Sequence, residues 1–245
     1  MVVALLLSGG TGSRLNAEIP KQYIKINEKP IISYCIEQLL KHEGIDKIQI
    51  TAAPQWHQTI RNCLEKNDSP QFENKRKFQG FSQPGKTRQL SIYNGLTDIL
   101  TYAQESDTVL IHDAARPLLS AQMITDCLEA MCDHEGVVPV LPMKDTIYQS
   151  INGKNINALV KRNEIYAGQA PEAFRLGLYY KANKALFPDK ILEINGSTEP
   201  AVLAGMDIAM IPGNEGNFKI TTAEDLERFR RVTIAEKYYL CDCKL

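Results

Sequence analysis

The chain opens on an unbroken apolar run, Val2 to Leu7, that stops at a cluster of glycines and hydroxyls, Ser8-Gly9-Gly10-Thr11-Gly12-Ser13. A short run of β-branched residues and leucine that ends in turn residues predicts a strand buried on both faces. Comparable runs recur at Asp46 to Ala53, near Phe78, at Thr108 to His112, at Gly136 to Pro142 and at Asp207 to Ile211. Between them the apolar positions shift to a period near 3.6. Ile32, Cys35, Ile36, Leu39 and Leu40 share one face of a helix starting at about Pro30, and Pro54 to Lys66 also reads as helical, followed by a polar, turn-rich stretch from Asn67 to Arg76. Leu90, Tyr93, Asn94, Leu96 and Leu100 mark a helix within Lys86 to Ala103, and Ser120 is placed to cap one that runs through Met131. A last helix starts after Thr222, with Asp225 at capping-box spacing. Strands alternating with helices imply a mostly parallel sheet between helical layers.

The rhythm breaks over Lys144 to Phe174. Thr146 to Gln149 and Ile156 to Val160 flank Asn152-Gly153, a hairpin signal. A β-arm leaving the sheet with Ile147, Tyr148, Ile156, Leu159 and Val160 would expose apolar surface on an isolated chain, which a second copy would cover. A routine surface hairpin is the other reading.

Composition narrows the class. With 245 residues, 44% hydrophobic and 23% charged, the chain can bury a large core without a disulfide or metal staple. A formal net charge of -1 leaves no footprint for nucleic acid or an anionic membrane, so any anion site must be local. There is no run of 18 apolar residues, and Met1 leads into the first strand without a charged leader, from which a cytoplasmic location is expected. Cys35, Cys63, Cys127, Cys132, Cys241 and Cys243 contain no C-x-x-C pair, and Cys35 and Cys127 fall on apolar helical positions. The histidines are scattered; only His112 adjoins a motif.

The glycine cluster carries the chemistry. Glycines at 9, 10 and 12 clear the way for successive backbone N–H groups to face anionic oxygens, with Arg14 and Lys21 adding positive charge. A dinucleotide fingerprint would need a third glycine where Leu15 stands, and a plain glycine turn leaves Pro20-Lys21-Gln22-Tyr23 unexplained. Gly80 to Thr87 also satisfies G-x-x-x-x-G-K-[ST], yet Lys75-Arg76-Lys77-Phe78-Gln79 is too charged for the buried strand that feeds such a loop. Asp113 follows a buried strand at the carboxyl end of the sheet, where ligands collect. It reads either as a carboxylate facing a magnesium ion or as the cap of the next turn.

In order along the chain, Ser8 to Tyr23, His112 to Pro117 (HDAARP), Asp145-Thr146 and Asn217 to Thr221 (NFKIT) resemble the signatures of the sugar-alcohol-phosphate cytidylyltransferases. The likeness runs from about Val2 to Ile234. It implies a single domain, residues 1–245, of Rossmann-like three-layer α/β/α form, with a mostly parallel mixed central sheet and a protruding β-arm at 144–174 that joins a homodimer. The implied activity is magnesium-dependent transfer of CMP from CTP to 2-C-methyl-D-erythritol 4-phosphate or ribitol 5-phosphate. Arg14, Lys21 and Lys219 match the catalytic cations, and Ser8, Gly9, Gly10, Thr11, Gly12, Ser13, Gly85, Arg88, Ser91 and Ala114 the nucleotide contacts. Asp113, Arg116, Thr146, Arg162 and Asn195 match the substrate contacts, with Arg162 reaching the neighbouring subunit's site and Asp113 facing the metal. Such a reaction needs cations around the α-phosphate and no His–Asp dyad, because a phosphate monoester with a second pKa of about 6 is already anionic.

The substrate signals divide. HDAARP is closer to the methylerythritol group, whereas Tyr166 to Pro171 and Ile220-Thr221-Thr222 are closer to the ribitol group. Ala170 stands where both usually place a threonine, and Asn195-Gly196-Ser197 where both usually show Thr-Asp. These departures keep two alternatives open: another polyol phosphate of surface-polysaccharide synthesis, and a non-catalytic nucleotide-binding relative.

Overall fold

The computed structural model describes residues 1–10, 19–66 and 77–242, with side chains to Ile234. The elements are β1 (Val2–Leu7), β2 (Lys25–Ile26), β3 (Lys29–Pro30), α1 (Ile31–Lys41), β4 (Lys47–Thr51), α2 (His57–Lys66), β5 (Phe78–Ser82), α3 (Arg88–Ile99), β6 (Thr108–Asp113) and α4 (Ala121–Ala130). They continue with β7 (Gly136–Pro142), β8 (Ile147–Gln149), β9 (Ala158–Val160), β10 (Tyr166–Gly168), β11 (Glu172–Arg175), α5 (Leu176–Lys184), α6 (Glu199–Leu203), β12 (Ile208–Pro212) and α7 (Ala223–Asp242).

The described residues form an eight-stranded sheet in which β5, β4, β1 and β6 lie parallel side by side. Beyond β6, β11 runs antiparallel and pairs with β7, whose far end pairs with β10 and whose other edge carries β12 in parallel. The sheet is therefore mostly parallel, as the alternation of elements implied. Its central strands feed two cores, because successive side chains point to opposite faces. Ala4 and Leu6 of β1 join the buried faces of α1, α2 and α4, while Val3 and Leu5 pack against α3, α5 and α6. Three layers follow directly from that alternation.

Helix starts obey the expected chemistry. Ser120 Oγ accepts from Met123 N at 3.2 Å at the head of α4. Thr222 Oγ1 accepts from Asp225 N at 3.2 Å while the Asp225 carboxylate accepts from Thr222 N at 2.9 Å, a reciprocal cap on α7. The Walker-type match is excluded by placement. Gly80 lies inside β5 instead of the following loop, and the Thr87 hydroxyl is spent capping Leu90 N at the start of α3.

The hairpin forms, but the arm is narrower than the expected 144–174. β8 pairs antiparallel with β9, Ile147 opposite Val160, and the connection is held by Asn152 Oδ1 accepting from Lys154 N and Asn157 Oδ1 accepting from Ile151 N. β10 and β11 belong to the main sheet, because β11 completes the ladder between β6 and β7 and β10 pairs with β7 at the edge. Among the described residues no helix is long and apolar enough to cross a membrane.

Candidate active site

The loops leaving β1, β5 and β6 converge at the carboxyl edge of the sheet around a cleft of about 370 Å³. Leu7, Gly9 and Gly10 from the first loop form one wall, Gly85 to Arg88 and Ser91 another, and Asp113, Ala115 and Lys219 the floor. Lys21 reaches in from a single 3-10 turn, Lys21–Tyr23.

The glycine loop is held by its neighbours. Gln22 is buried, and its Nε2 donates to the carbonyls of Ser8 and Gly10, each at 2.8 Å. Ser8 Oγ donates to Tyr23 Oη at 2.8 Å, and the Tyr23 ring stacks on Trp56 with centroids 4.1 Å apart. Burial pushes the Tyr23 phenol up to about 12, so it stays neutral. Pro20 to Tyr23 thus does two jobs: Gln22 and Tyr23 clamp the loop while Lys21 faces the cleft. A Cβ on Gly9 would lie 2.5 Å from Pro84 Cβ, which explains why only glycine allows the two loops to touch.

Gly85 is equally constrained. Its N–H donates to Ser91 Oγ at 3.0 Å, and a Cβ there would sit 2.8 Å from the Leu90 carbonyl carbon and 2.9 Å from Ser91 N, both backbone atoms. Gly85→Ala is expected to cost about 1–3 kcal/mol through overpacking and to weaken nucleotide binding by shifting the first turn of α3. A thermal melt and a titration with CTP check both effects.

Asp113 is the electrostatic centre. Its Oδ1 accepts from Arg88 Nε at 3.1 Å and pairs with Arg88 Nη2 at 3.0 Å, and its Oδ2 accepts from Lys219 Nζ at 2.8 Å. Arg116 Nε lies 4.0 Å from Oδ2. Burial by itself would raise the Asp113 pKa, but the Arg88 and Lys219 charges outweigh it and hold the carboxyl well below the usual carboxylate range. The neighbouring His112 is fully buried, with Nε2 2.9 Å from the Arg116 carbonyl, and burial lowers it to about 4. A neutral, enclosed imidazole of this kind is no general base for the cleft.

Lys219 comes from far along the chain, and its segment is pinned on both sides. Arg116 Nη1 donates to the Asn217 carbonyl at 2.7 Å, Asn217 Nδ2 donates to the Ala170 carbonyl at 2.6 Å, and Ile220 N donates to the Ala115 carbonyl at 2.8 Å. Ile220 then buries against Ile26, Ile31 and Phe229. Arg116 therefore positions the strip that carries Lys219, and it does not line the cleft.

The geometry sorts the sequence candidates. Gly9, Gly10, Lys21, Gly85, Arg88, Ser91, Asp113 and Lys219 come together around one cleft. Thr11, Gly12, Ser13 and Arg14 lie outside the described residues. Ser8 and Ala114 are buried beside the cleft without lining it, and Ala115, also buried, lines it in place of Ala114. Thr146 and Arg162 stand on the exposed arm, where Arg162 Nη1 donates to the Lys144 carbonyl at 2.8 Å. Asn195 is exposed, and its loop turns Ser197 inward instead. Sequence reasoning missed Gln22, Lys86, Thr87 and Ala115, although each adjoins a residue it named.

Among the described residues Asp113 is the one carboxylate on the cleft lining, and its oxygens are shared with Arg88 and Lys219. Magnesium is typically held by one or two carboxylates plus substrate phosphates and waters, so Asp113 beside a phosphate cleft fits the expected metal-facing role, while it also orients Arg88 and Lys219.

A glycine loop, a helix start and converging cations at the carboxyl edge of a parallel sheet define the class: a nucleotidyltransferase. The family model for 2-C-methyl-D-erythritol 4-phosphate cytidylyltransferase (IspD) matches residues 2–233, and the chain belongs to that family. The 2-C-methyl-D-erythritol 4-phosphate cytidylyltransferase of Clostridium beijerinckii is 34% identical over 229 residues, covering 92% of this chain and 95% of that one. The ribitol-5-phosphate cytidylyltransferase of Lacticaseibacillus paracasei is 28% identical, covering 94% and 97%. The bifunctional enzyme IspD/IspF of Granulibacter bethesdensis is 34% identical over 94% of this chain, which spans 56% of that longer protein. Among solved structures, a 4-diphosphocytidyl-2C-methyl-D-erythritol synthase superposes with a TM-score of 0.77 at 24% identity, covering 95% of this chain and 97% of that one. The Francisella tularensis 2-C-methyl-D-erythritol 4-phosphate cytidylyltransferase gives 0.74 at 24% identity, covering 93% and 97%. At that identity the structural likeness bears on the fold.

Proposed function

We propose that the chain transfers the cytidylyl group of CTP to a sugar-alcohol phosphate, releasing pyrophosphate. The observation that carries this reading is the position of Lys219, drawn by Asp113 to the floor of the cleft that Lys21 and the glycine loop also face. The acceptor phosphate attacks the α-phosphorus in line, the bond to the β-phosphate oxygen breaks, and negative charge spreads over the non-bridging oxygens. Lys21 and Lys219, with Arg14, neutralise that charge. Arg88 and the first turn of α3 orient the nucleotide. Asp113 would hold a magnesium ion together with the triphosphate oxygens, and the ion would supply further neutralisation of phosphate charge.

For the acceptor, 2-C-methyl-D-erythritol 4-phosphate comes first, supported by the family match and by the small Ala115 on the cleft wall. Ribitol 5-phosphate is the second reading, supported by the Lacticaseibacillus relative and by the Tyr166 to Pro171 segment. Phosphorus-31 NMR of each reaction decides between them: the true acceptor yields a new pair of mutually coupled diphosphate signals, and the wrong one leaves its monoester signal unchanged.

The arm supports a homodimer. Ile151 is 85% exposed and Leu159 68% exposed, with Ile156 and Tyr148 also bare, an apolar surface that a second copy would cover. In such a pair Arg162 serves the neighbour's cleft, and it is not among the residues that line the chain's own. Light scattering on serial dilution is expected to give twice the chain mass down to the micromolar range. A compact monomer at that concentration removes Arg162 from the site.

A further inference from the structure

Behind the cleft, a buried polar circuit joins the nucleotide helix to the loop that follows Asn195. Arg88 and Gln89 are consecutive in the first turn of α3 and leave by different routes. Arg88 Nη2 lies 4.0 Å from Oε2 of the buried Glu172 on β11. Glu172 in turn accepts from the hydroxyls of Ser197, on Oε2, and Thr198, on Oε1 at 2.9 Å. Gln89 Nε2 donates to Tyr179 Oη at 3.1 Å and to Asn183 Oδ1, and Tyr179 Oη donates to the Ser197 carbonyl at 2.6 Å. Both routes thus end on the same loop, and every named side chain except Arg88 and Thr198 is buried. None of this is needed to close the core, which the apolar faces of α3 and α5 already do.

Resting on the proposed transfer reaction, we infer that Glu172 is a positioning residue that couples the sugar-alcohol loop at 195–198 to Arg88, so that acceptor and nucleotide bind cooperatively. The carboxylate also sets the polarity of the loop. A hydroxyl that donates its hydrogen to Glu172 has only lone pairs left to offer outward. The half-buried Thr198 therefore presents an acceptor, suited to the O–H groups of an alditol and not to an anionic oxygen. Burial pushes Glu172 up against the opposing pull of Arg88 and the two hydroxyls, consistent with a group whose charge depends on that contact.

The test uses the full chain, α,β-methylene CTP as a non-reacting nucleotide, and 2-C-methyl-D-erythritol 4-phosphate and ribitol 5-phosphate as acceptors. In the wild type, the cognate acceptor tightens binding of the nucleotide analogue, and the analogue tightens the acceptor by the same factor. In Glu172→Gln that factor falls to about one, and the acceptor KM rises on the order of tenfold, the worth of one hydrogen bond to a charged group, with kcat little changed. Thr198→Val, which keeps Glu172 and removes one hydroxyl, gives the same direction and stands in if the glutamine variant does not fold. A mutual tightening that survives in both folded variants overturns the inference while leaving the transfer reaction intact. Failure of the wild type to bind the analogue or either acceptor overturns the reaction and the inference together.

Discussion

Lys219→Ala is expected to lower kcat by about 10²–10³, the cost of removing one preorganised charge that faces the developing negative charge. The variant should still fold. The Lys219 side chain is about one-third exposed, and a pair at that exposure is worth on the order of 1 kcal/mol or less once solvent screening is counted. Asp113 keeps Arg88 as a counter-charge at 3.0 Å, so its carboxylate is not left bare. A rate loss out of proportion to the stability loss is the signature of a charge used in the transition state. Steady-state kinetics alongside a thermal melt separates the two, and a variant that turns over normally removes Lys219 from the chemistry.

Asp113→Asn is expected to damage both stability and turnover. Asparagine nearly preserves shape and removes the charge that Arg88, Lys219 and Arg116 surround, leaving like charges facing each other in a partly closed site. Breaking a buried pair in this way costs about 3 kcal/mol. The pH dependence has a fixed sign. The folded Asp113 pKa lies below its unfolded value of about 3.9, so its contribution is present above that pH and is lost as pH falls toward the folded value. The gap in melting temperature between wild type and Asp113→Asn should therefore be full from pH 6 to 8 and narrow below about pH 4. A gap that widens on acidification contradicts the assignment.

Much of this was legible in the sequence for reasons that particular residues make clear. Val2 to Leu7 is apolar at every position because its strand is covered on both faces, and the same holds for Val109 to Ile111. Ser120, Thr222 and Asp225 announced helix starts because a cap is local chemistry. The helix α5 gave no clean signal, since its buried face includes Tyr179 and Asn183, polar groups whose partners come from α3 and from the 197 loop. Glu172 was illegible for the same reason: a charged residue in a strand reads as exposed until its distant partners are known. That Ser197 and not Asn195 turns inward could not be read from the sequence, because an irregular loop has no period to show which side chain turns in. Asp113 was placed correctly at the carboxyl edge, but its counter-ions, from positions 88 and 219, could not be foreseen from the residues beside it.

Pyrophosphate release measured on mixing the purified chain with CTP, magnesium and a panel of sugar-alcohol phosphates tests the central claim most directly. Rapid release with 2-C-methyl-D-erythritol 4-phosphate or ribitol 5-phosphate, stoichiometric with loss of acceptor and absent without it, is the expected result. CTP that binds the cleft while no member of the panel, including arabinitol, glycerol and glucitol phosphates, provokes release would contradict it and leave a nucleotide-binding protein without the transfer reaction.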